Sequence, residues 1–334
     1  MKAVLKAYWQ LIVGIFISVL FLYLAFRKVD LAQMGRAFRA ARYGYLIPAA
    51  AVLFVSHWLR AIRWQYLLEP IGRLRLRTLF SSLLIGYMAN TFLPAHLGEF
   101  VRAYLIGKKT PVSASAAFAT IVVERIIDVA ALLLLLAVAI FIFPFPVWVK
   151  TSGYLLFAGI FLLFILLALM KMRRDAALRL IGRLARPLSA RLAQRLQEMT
   201  HHFLDGLVPL KNWNRYVAVF LLSFLIWFGY ALSFQFGFYA FGFIRTFHLP
   251  WSAALVTLIV TTISVVVPSS PGYVGTYHYL CQLALGFFGI PEGSALTYAI
   301  VMHGINFLPI LLVGLALLPV AGISLRAIGQ KKLK

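Results

Sequence analysis

The chain has 334 residues, of which 63% are hydrophobic and 12% charged, and its net charge is +23. No water-soluble core of this length needs so many apolar side chains, so the composition excludes a soluble protein and predicts an all-α polytopic membrane protein. The basic residues lie mainly at the edges of apolar segments, which favours anionic lipid headgroups as partners and argues against nucleic acid.

Apolar segments of membrane-compatible length recur along the whole chain. They lie near 10–26, 44–62, 78–93, 112–143, 150–172, 216–243, 250–267 and 294–322. Shorter glycine-containing pieces at 98–107 and 272–290 follow two of them. The first segment has a basic start and no small-residue cleavage site, so it is predicted to be an uncleaved helix rather than a signal peptide.

The distribution of basic residues predicts the topology. The densest basic stretch, 171–215, and the lysine-rich C-terminus belong in the cytoplasm by the positive-inside rule. Both placements hold if 78–107 and 250–290 are re-entrant hairpins and about six other segments cross fully. Only Arg102 and Arg125 then lie at membrane depth. We therefore expect a multi-pass protein of the cell membrane with both termini in the cytoplasm.

The basic stretch itself contains an amphipathic segment at 173–208. Apolar residues recur there at steps of three or four from Leu178 to Leu207, and arginines occupy the other side. This pattern predicts an interfacial helix that is broken near Pro187 and lies on the cytoplasmic leaflet. Its partners there would be anionic lipid headgroups.

A pattern of proline and glycine occurs twice. Pro94 precedes Gly98, and Pro268 precedes Gly272, with three residues between them, and each glycine opens a short helical stretch before a long apolar helix. Three full crossings separate the two segments, so they are predicted to enter from opposite faces, as in inverted-repeat transporters. The alternative is ordinary punctuation between full spans, because proline and glycine are common in membrane helices.

The repeats comprise about 78–143 and 250–322 within a single transmembrane domain, 1–334. A helix that restarts at Gly98 or Gly272 would point free N–H groups and the positive end of its dipole into the membrane. Such an end binds phosphate and other anions. Irregular backbone at that depth persists only where it lines a cavity or is buried in protein. We therefore expect both breaks to face one polar cavity.

Three ionisable residues lie inside the longest apolar stretch, 112–143. They are costly at that depth and by default mark a pathway or binding site. Glu124 and Asp128 share one helical face, so we expect at least one carboxylate–guanidinium contact with Arg102 or Arg125. The alternative is an ion-pair cluster that only holds helices together.

Three motifs in combination resemble the flippase-like family related to the transmembrane region of lysylphosphatidylglycerol synthases. They are Pro94-x-x-x-Gly98-Glu99-x-x-Arg102, Glu124-Arg125-x-x-Asp128 and Pro268-Ser-Ser-Pro-Gly272-Tyr-Val-Gly275. The resemblance covers nearly the whole chain and implies translocation of phospholipids or polyprenyl-linked sugars. Where that family often has an arginine in the last helix, this chain has His303 and Asn306, one turn apart, which would fill part of that role.

The leading prediction is translocation of a phospholipid or a polyprenyl-phosphate-linked headgroup through a polar central cavity. The alternatives are a non-transporting membrane partner of a lipid-modifying enzyme and an intramembrane lipid transferase. No catalytic motif is present, so we expect no enzyme activity, no cofactor and no metal. The expected partners are an anionic lipid or lipid-linked sugar as substrate, and either a second copy of the chain or a lipid-modifying enzyme.

The predicted translocation site draws on both repeats and on the charged helix between them. Its residues are Asn90, Pro94, Gly98, Glu99, Arg102, Glu124, Arg125, Asp128, Pro268, Ser269, Ser270, Gly272, Tyr273, Gly275, Thr276, His303 and Asn306.

Overall fold

The structure is a computed structural model that describes residues 2–93, 97–187, 189–207, 209–266 and 270–319. In these residues the chain forms α-helices and short 3₁₀ turns and no β-strand, which confirms the predicted all-α fold. The helices are α1 (Lys2–Phe26), α2 (Leu31–Ala40), α3 (Leu46–Leu68), α4 (Leu76–Phe92), α5 (Gly98–Lys109), α6 (Ala114–Ile142), α7 (Val147–Met172), α8 (Arg174–Ala185), α9 (Ala190–Gly206), α10 (Trp213–Ala240), α11 (Phe243–Thr246), α12 (Ser252–Val266), α13 (Thr276–Gly286) and α14 (Glu292–Leu317).

The long apolar helices agree with a polytopic membrane protein. Within the described residues, five helices are long and apolar enough to cross a bilayer: α3, α6, α7, α10 and α14. The sixth predicted crossing corresponds to α1, which has 25 residues. At 1.5 Å per residue it is about 37 Å long, which exceeds a hydrocarbon core of about 30 Å.

Two pairs of short helices occupy the positions of the predicted hairpins. Helices α4 and α5 have 17 and 12 residues, and α12 and α13 have 15 and 11. Each is shorter than the roughly 20 residues that a full span needs, and the members of each pair pack on one another. Each pair is followed by a long helix, so one order of elements occurs twice. Entry from opposite faces stays a prediction.

The core of the bundle is built around these hairpins. One apolar cluster joins α10, α12, α13 and α14 around Phe238 and Tyr298, whose rings lie 5.2 Å apart. A second cluster joins α3, α4, α5 and α6 around the buried Trp64. Helix α3 packs extensively against α10, and each cluster includes residues of both helices.

The amphipathic segment forms two helices, as the predicted break near Pro187 requires. Helix α9 packs on both α8 and α6. Gly206 permits a close approach there, since an added Cβ would lie 2.6 Å from the carbonyl oxygen of Ala116. The segment is therefore anchored to the bundle by α9 and exposes apolar side chains such as Leu184 and Met199. Contact of these side chains with the leaflet stays a prediction.

Candidate functional site

Two arginines of α3 extend into the bundle and bind the acidic face of α6. Arg60 Nη1 donates to Asp128 Oδ2 at 2.7 Å and to Glu124 Oε1 at 3.2 Å. Arg63 Nη2 donates to Asp128 Oδ1 at 2.7 Å. Both guanidinium groups are almost fully buried. Each Asp128 oxygen accepts a hydrogen bond from a different arginine. This carboxylate therefore links α6 to two arginines of α3 that are three residues apart.

The prediction that Arg102 and Arg125 are the only basic residues at membrane depth is wrong. Arg60 was already inside the apolar segment predicted near 44–62, Arg63 follows that segment directly, and α3 continues to Leu68. Arg60 and Arg63 therefore lie inside the helix, on the face that packs against α6. A signal was available in the sequence, since arginines three residues apart share one side of a helix.

The second carboxylate of α6 is held from the first hairpin. Arg102 Nη2 donates to Glu124 Oε2 at 2.9 Å, and its guanidinium carbon lies 4.2 Å from the centroid of the Trp64 ring. Both charged side chains are fully buried. The expected carboxylate–guanidinium contact is confirmed. Stacking on an aromatic face suits arginine, whose planar cation is weakly hydrated.

Arg125 occupies a different position in this network. Its Nη2 donates to Glu124 Oε1 at 3.1 Å, while its Nε lies 3.1 Å from Glu99 Oε1 on α5. Its side chain is 38% exposed, whereas those of Arg60, Arg63 and Arg102 are at most 6% exposed. Glu99 thus pairs with Arg125 of the next helix and not with Arg102, its neighbour three residues away.

The network carries one surplus positive charge among the described residues. Four arginines, Arg60, Arg63, Arg102 and Arg125, face three carboxylates, Glu99, Glu124 and Asp128. Charges in a low-dielectric interior must be paired or they become very costly. Arg125 is the most exposed of the four arginines. The surplus positive charge is therefore closest to open space at its guanidinium group.

That open space is a cavity of about 270 Å³ between the two hairpins. The end of α4 lies against the 3₁₀ turn Pro271–Tyr273, so the two hairpin tips meet beside it. The walls combine charged, aromatic, hydroxyl and amide groups. The polar and aromatic lining residues are His57, Arg60, Tyr87, Asn90, Thr91, Glu99, Arg125, Tyr230, Phe234, Thr261, Thr262, Ser264, Tyr273, Tyr277, Asn306 and Phe307.

The first hairpin restarts at Gly98, as predicted, but the amide of this residue is not free. Asn90 Oδ1 accepts a hydrogen bond from the Gly98 N–H at 2.7 Å. The expectation that this N–H would bind an anion is therefore wrong, because a side chain eight residues earlier satisfies it. Asn90 still lines the cavity. Pro94 lies outside the described residues.

The second hairpin restarts later than predicted. Helix α13 begins at Thr276, whereas Gly272 lies in the 3₁₀ turn with φ 75°. Gly275 precedes the helix with φ 90°, and its N–H donates to Nδ1 of His278 at 3.3 Å. Gly272 is not among the described residues that line the cavity, and its carbonyl oxygen contacts the ring of His303. Pro271 explains the shift, because it opens the tight turn before the helix.

Other predicted residues of this hairpin hold it to its neighbours. The Ser270 amide donates to Ser18 Oγ at 2.9 Å, which ties the tip to α1. Thr276 is buried, and its hydroxyl donates to the carbonyl oxygen of Tyr273 at 3.0 Å. Tyr273 lines the cavity, whereas Ser270 and Thr276 have structural contacts. Pro268 and Ser269 lie outside the described residues.

His303 and Asn306 replace charge with neutral hydrogen bonds. His303 Nε2 lies 2.8 Å from the Gly272 carbonyl oxygen, and Asn306 Nδ2 donates to the Tyr277 hydroxyl at 3.2 Å. Within the described parts of α12, α13 and α14 no ion pair forms. Asn306 reaches the cavity. This half therefore contributes polar groups to the site without adding charge.

Comparison with known proteins gives a family match over most of the chain. Residues 11–314 match the family model described as lysylphosphatidylglycerol synthase TM region. A UPF0104 membrane protein of Methanothermobacter thermautotrophicus is 26% identical over 307 residues, which cover 87% of this chain and 90% of that protein. A second UPF0104 membrane protein, from Methanocaldococcus jannaschii, is 27% identical over 120 residues, or 35% of this chain and 36% of that protein.

One relative carries the name of an enzyme. The glycosyltransferase AglD of Haloferax volcanii is 29% identical over 143 residues. That match covers 39% of this chain but only 23% of AglD. The similarity is therefore restricted to a minor part of the larger protein.

Proposed function

This chain belongs to the family of the lysylphosphatidylglycerol synthase transmembrane region, and on that premise we propose that it moves the phosphate-bearing headgroup of a lipid across the bilayer. The substrate is a phospholipid or a polyprenyl-phosphate-linked sugar. Its headgroup passes through the central cavity while its apolar tail stays in the surrounding lipid. The protein resides in the cell membrane with both termini in the cytoplasm.

The observation that carries this proposal is the surplus arginine at the cavity. Arg125 is partly exposed there and pairs with Glu99 and Glu124. Glu124 is also bound by Arg60 and Arg102. A guanidinium group in a low-dielectric pocket binds phosphate by two parallel hydrogen bonds. Three further arginines keep both α6 carboxylates occupied, so an entering phosphate does not meet an unpaired anion.

Exchange of partners at Arg125 gives a physical route for binding and release. Glu99 Oε1 pairs with Arg125 Nε at 3.1 Å. An arriving phosphate takes over the guanidinium of Arg125, and the Glu99 carboxylate is then released from this pair. On release the pair reforms, which prevents a bare charge from remaining at membrane depth. Glu124 and Asp128 stay buried and hold the arginines in position.

Reconstituted vesicles test this function directly. The purified protein is placed in liposomes with a fluorescent phosphatidylglycerol or a fluorescent polyprenyl phosphate, and the label accessible to an external quencher is measured over time. We expect the wild-type protein to expose inner-leaflet label and Arg125→Ala to abolish this activity. Arg125→Lys should recover little, because lysine lacks the bidentate geometry.

A matched variant controls for the loss of an arginine as such. Arg215 pairs with Glu69 at 3.0 Å and stacks on Tyr66, away from the cavity. Arg215→Ala should translocate at the wild-type rate. A well-folded Arg125→Ala protein that translocates lipid normally would refute the site.

The second candidate is a membrane partner of a lipid-modifying enzyme, and the partial match to a glycosyltransferase favours it. We propose that the chain itself performs no covalent chemistry. Mass spectrometry of the vesicle lipids separates the cases. Translocation changes the sidedness of the lipid and leaves its mass unchanged, a transferase changes the mass, and a partner protein alone changes neither.

The α8–α9 pair supplies the proposed contact with anionic lipid. Its arginines accompany exposed apolar side chains, including Leu180 and Leu184, a combination that inserts at the headgroup boundary. A peptide covering 173–208 should gain helicity with phosphatidylglycerol vesicles and lose binding as salt rises. Equal binding to neutral phosphatidylcholine vesicles would contradict this contact.

A further inference from the structure

His57 lines the central cavity and belongs to none of the ion pairs described above. It lies on α3, three residues before Arg60, and only 6% of it is exposed. Its ring centroid is 5.3 Å from that of Tyr87 and 6.1 Å from that of Tyr230. Among the residues that the structure describes, neither ring nitrogen has a hydrogen-bond partner.

This situation is unusual for a buried imidazole. A neutral histidine has one N–H donor and one nitrogen acceptor, and leaving either unpaired in an apolar interior is costly. Aromatic rings of Tyr87 and Tyr230 contact the imidazole, and His57, with both ring nitrogens buried, is also one of the residues that line the cavity. The residue is therefore placed to bind whatever polar group enters that cavity.

The charges around the cavity select the kind of group. Arg60 and Arg125 line the same space, whereas the one carboxylate in the lining, Glu99, already contacts Arg125. A cationic headgroup would face two guanidinium groups, and an anion would be attracted by both. An N–H donor beside them suits a phosphoryl oxygen.

We propose that His57 is a headgroup-binding residue, whose imidazole N–H donates a hydrogen bond to a phosphoryl oxygen of the lipid held in the central cavity. This inference rests on the proposed function and adds a contact on α3 to the arginine of α6. The phosphate then contacts α3 through His57 and α6 through Arg125, and neither helix is part of a hairpin.

Three substitutions separate hydrogen bonding from packing. His57→Phe keeps a ring against Tyr87 and Tyr230 but removes both nitrogens. His57→Asn and His57→Gln keep an N–H donor near the positions of Nδ1 and Nε2. We expect the phenylalanine variant to bind phosphate-bearing probes at least about ten-fold more weakly. One of the two amide variants should recover most of the affinity.

His57→Phe should weaken binding of the probe without lowering the stability of the protein. His57→Phe removes two buried unpaired nitrogens, so its melting temperature should equal or exceed that of the wild type. His278 provides the matched control, because it is also buried, accepts the Gly275 N–H and does not line the cavity. His278→Phe should lower the melting temperature and leave the affinity unchanged.

The experiment is calorimetric titration of the purified full chain with two soluble probes. Farnesyl phosphate represents a polyprenyl phosphate, with farnesol as its phosphate-free control. Dihexanoyl phosphatidylglycerol represents a phospholipid, with dihexanoylglycerol as its control. The probe that binds more tightly than its control identifies the source of the phosphate, and each variant is then titrated with it.

A large loss of affinity in His57→Phe with retained stability, and recovery in one amide variant, supports the proposal. Equal affinity in wild type and His57→Phe overturns the role of His57 but leaves the proposed function in place. Loss in all three variants together with a lower melting temperature indicates a packing role and also overturns it. If neither probe exceeds its control, the phosphate cavity and the proposed function fail as well.

Discussion

The two three-helix units of this protein, α4–α6 and α12–α14, have the same order of elements but different chemistry at their centres. In the first unit, Glu124 and Asp128 are bound by buried arginines at distances down to 2.7 Å. In the second, His303 and Asn306 make neutral hydrogen bonds to a carbonyl and a hydroxyl. A hairpin and a long helix can therefore be held together without ions, and the charges of the first unit require another explanation.

The hairpin turns differ in the same way. Asn90 caps the restart of α5 with its side chain, and no positive φ is needed at Gly98. The second turn uses left-handed backbone at Gly272 and Gly275 instead. Buried ion pairs are weak contributors to stability but costly to break. The first unit therefore places charged groups beside the cavity, while the second places neutral polar groups there.

The largest effect should follow from breaking the charged centre. Asp128→Ala leaves Arg60 and Arg63 without their 2.7 Å partner, and we expect the free energy of unfolding to fall by about 3–5 kcal/mol. Asp205 is the control, because Arg174 also donates to it at 2.7 Å but both side chains are partly exposed. Asp205→Ala should cost at most about 1 kcal/mol. The free energies are measured from unfolding curves of the detergent-solubilised protein. Equal losses in the two variants would contradict the difference between the buried and the partly exposed ion pair.

Glycines of the two hairpins should give the next largest effects. An added Cβ at Gly275 would clash with the backbone oxygen of Ser18, and its φ of 90° disfavours any side chain. At Gly86, whose backbone is ordinary helix, an added Cβ would meet the buried side chain of Arg102 and the carbonyl oxygen of Gly98. We expect alanine substitution to cost about 1–3 kcal/mol, more at Gly275 than at Gly86. Nothing lies within 4 Å of a Cβ at Gly286, so Gly286→Ala should be neutral or slightly stabilising.

Removing a neutral hydrogen bond from the second unit should have a smaller effect. Tyr277→Phe deletes the hydroxyl that accepts from Asn306 at 3.2 Å. The expected cost is about 0.5–1.5 kcal/mol, which is typical of a net hydrogen bond. Tyr239→Phe, at an exposed position on α10, should change the melting temperature much less. A loss as large as that of Asp128→Ala would show that the two units are equally sensitive.

The smallest effect concerns pH at the partly exposed pair of Arg174 on α8 and Asp205 on α9. Partial burial opposes ionisation of Asp205, but the hydrogen bond and charge of Arg174 outweigh it and lower the pKa of this carboxyl. A lowered pKa in the folded state adds stability that is present above the ordinary aspartate value of about 3.9 and is lost as pH falls through the lowered one. Asp205→Asn should remove this acid-side increment from melting curves recorded between about pH 5 and pH 2. An unchanged difference between the two proteins over that range would contradict it.

Local features of the sequence determined most of the architecture. Apolar length specifies the long helices, and prolines and glycines specify where α4 and α12 end, because both effects act within a few residues. The polar face of α6 was also visible, since Glu124 and Asp128 recur at helical spacing. The proline–glycine pattern predicted the start of α5 at Gly98 correctly. It placed the start of α13 too early, at Gly272, because the 3₁₀ turn that begins at Pro271 precedes this helix.

Only the tertiary structure decided which charges meet and which groups are left free. Arg60 and Asp128 are 68 residues apart, so local spacing could place each on one face of its own helix, but their contact depends on how α3 and α6 pack. The use of the Gly98 amide by Asn90 and the unpaired ring of His57 depend on packing in the same way. Helix formation is a property of short stretches of chain, whereas a binding cavity is a property of the surfaces that distant helices bring together.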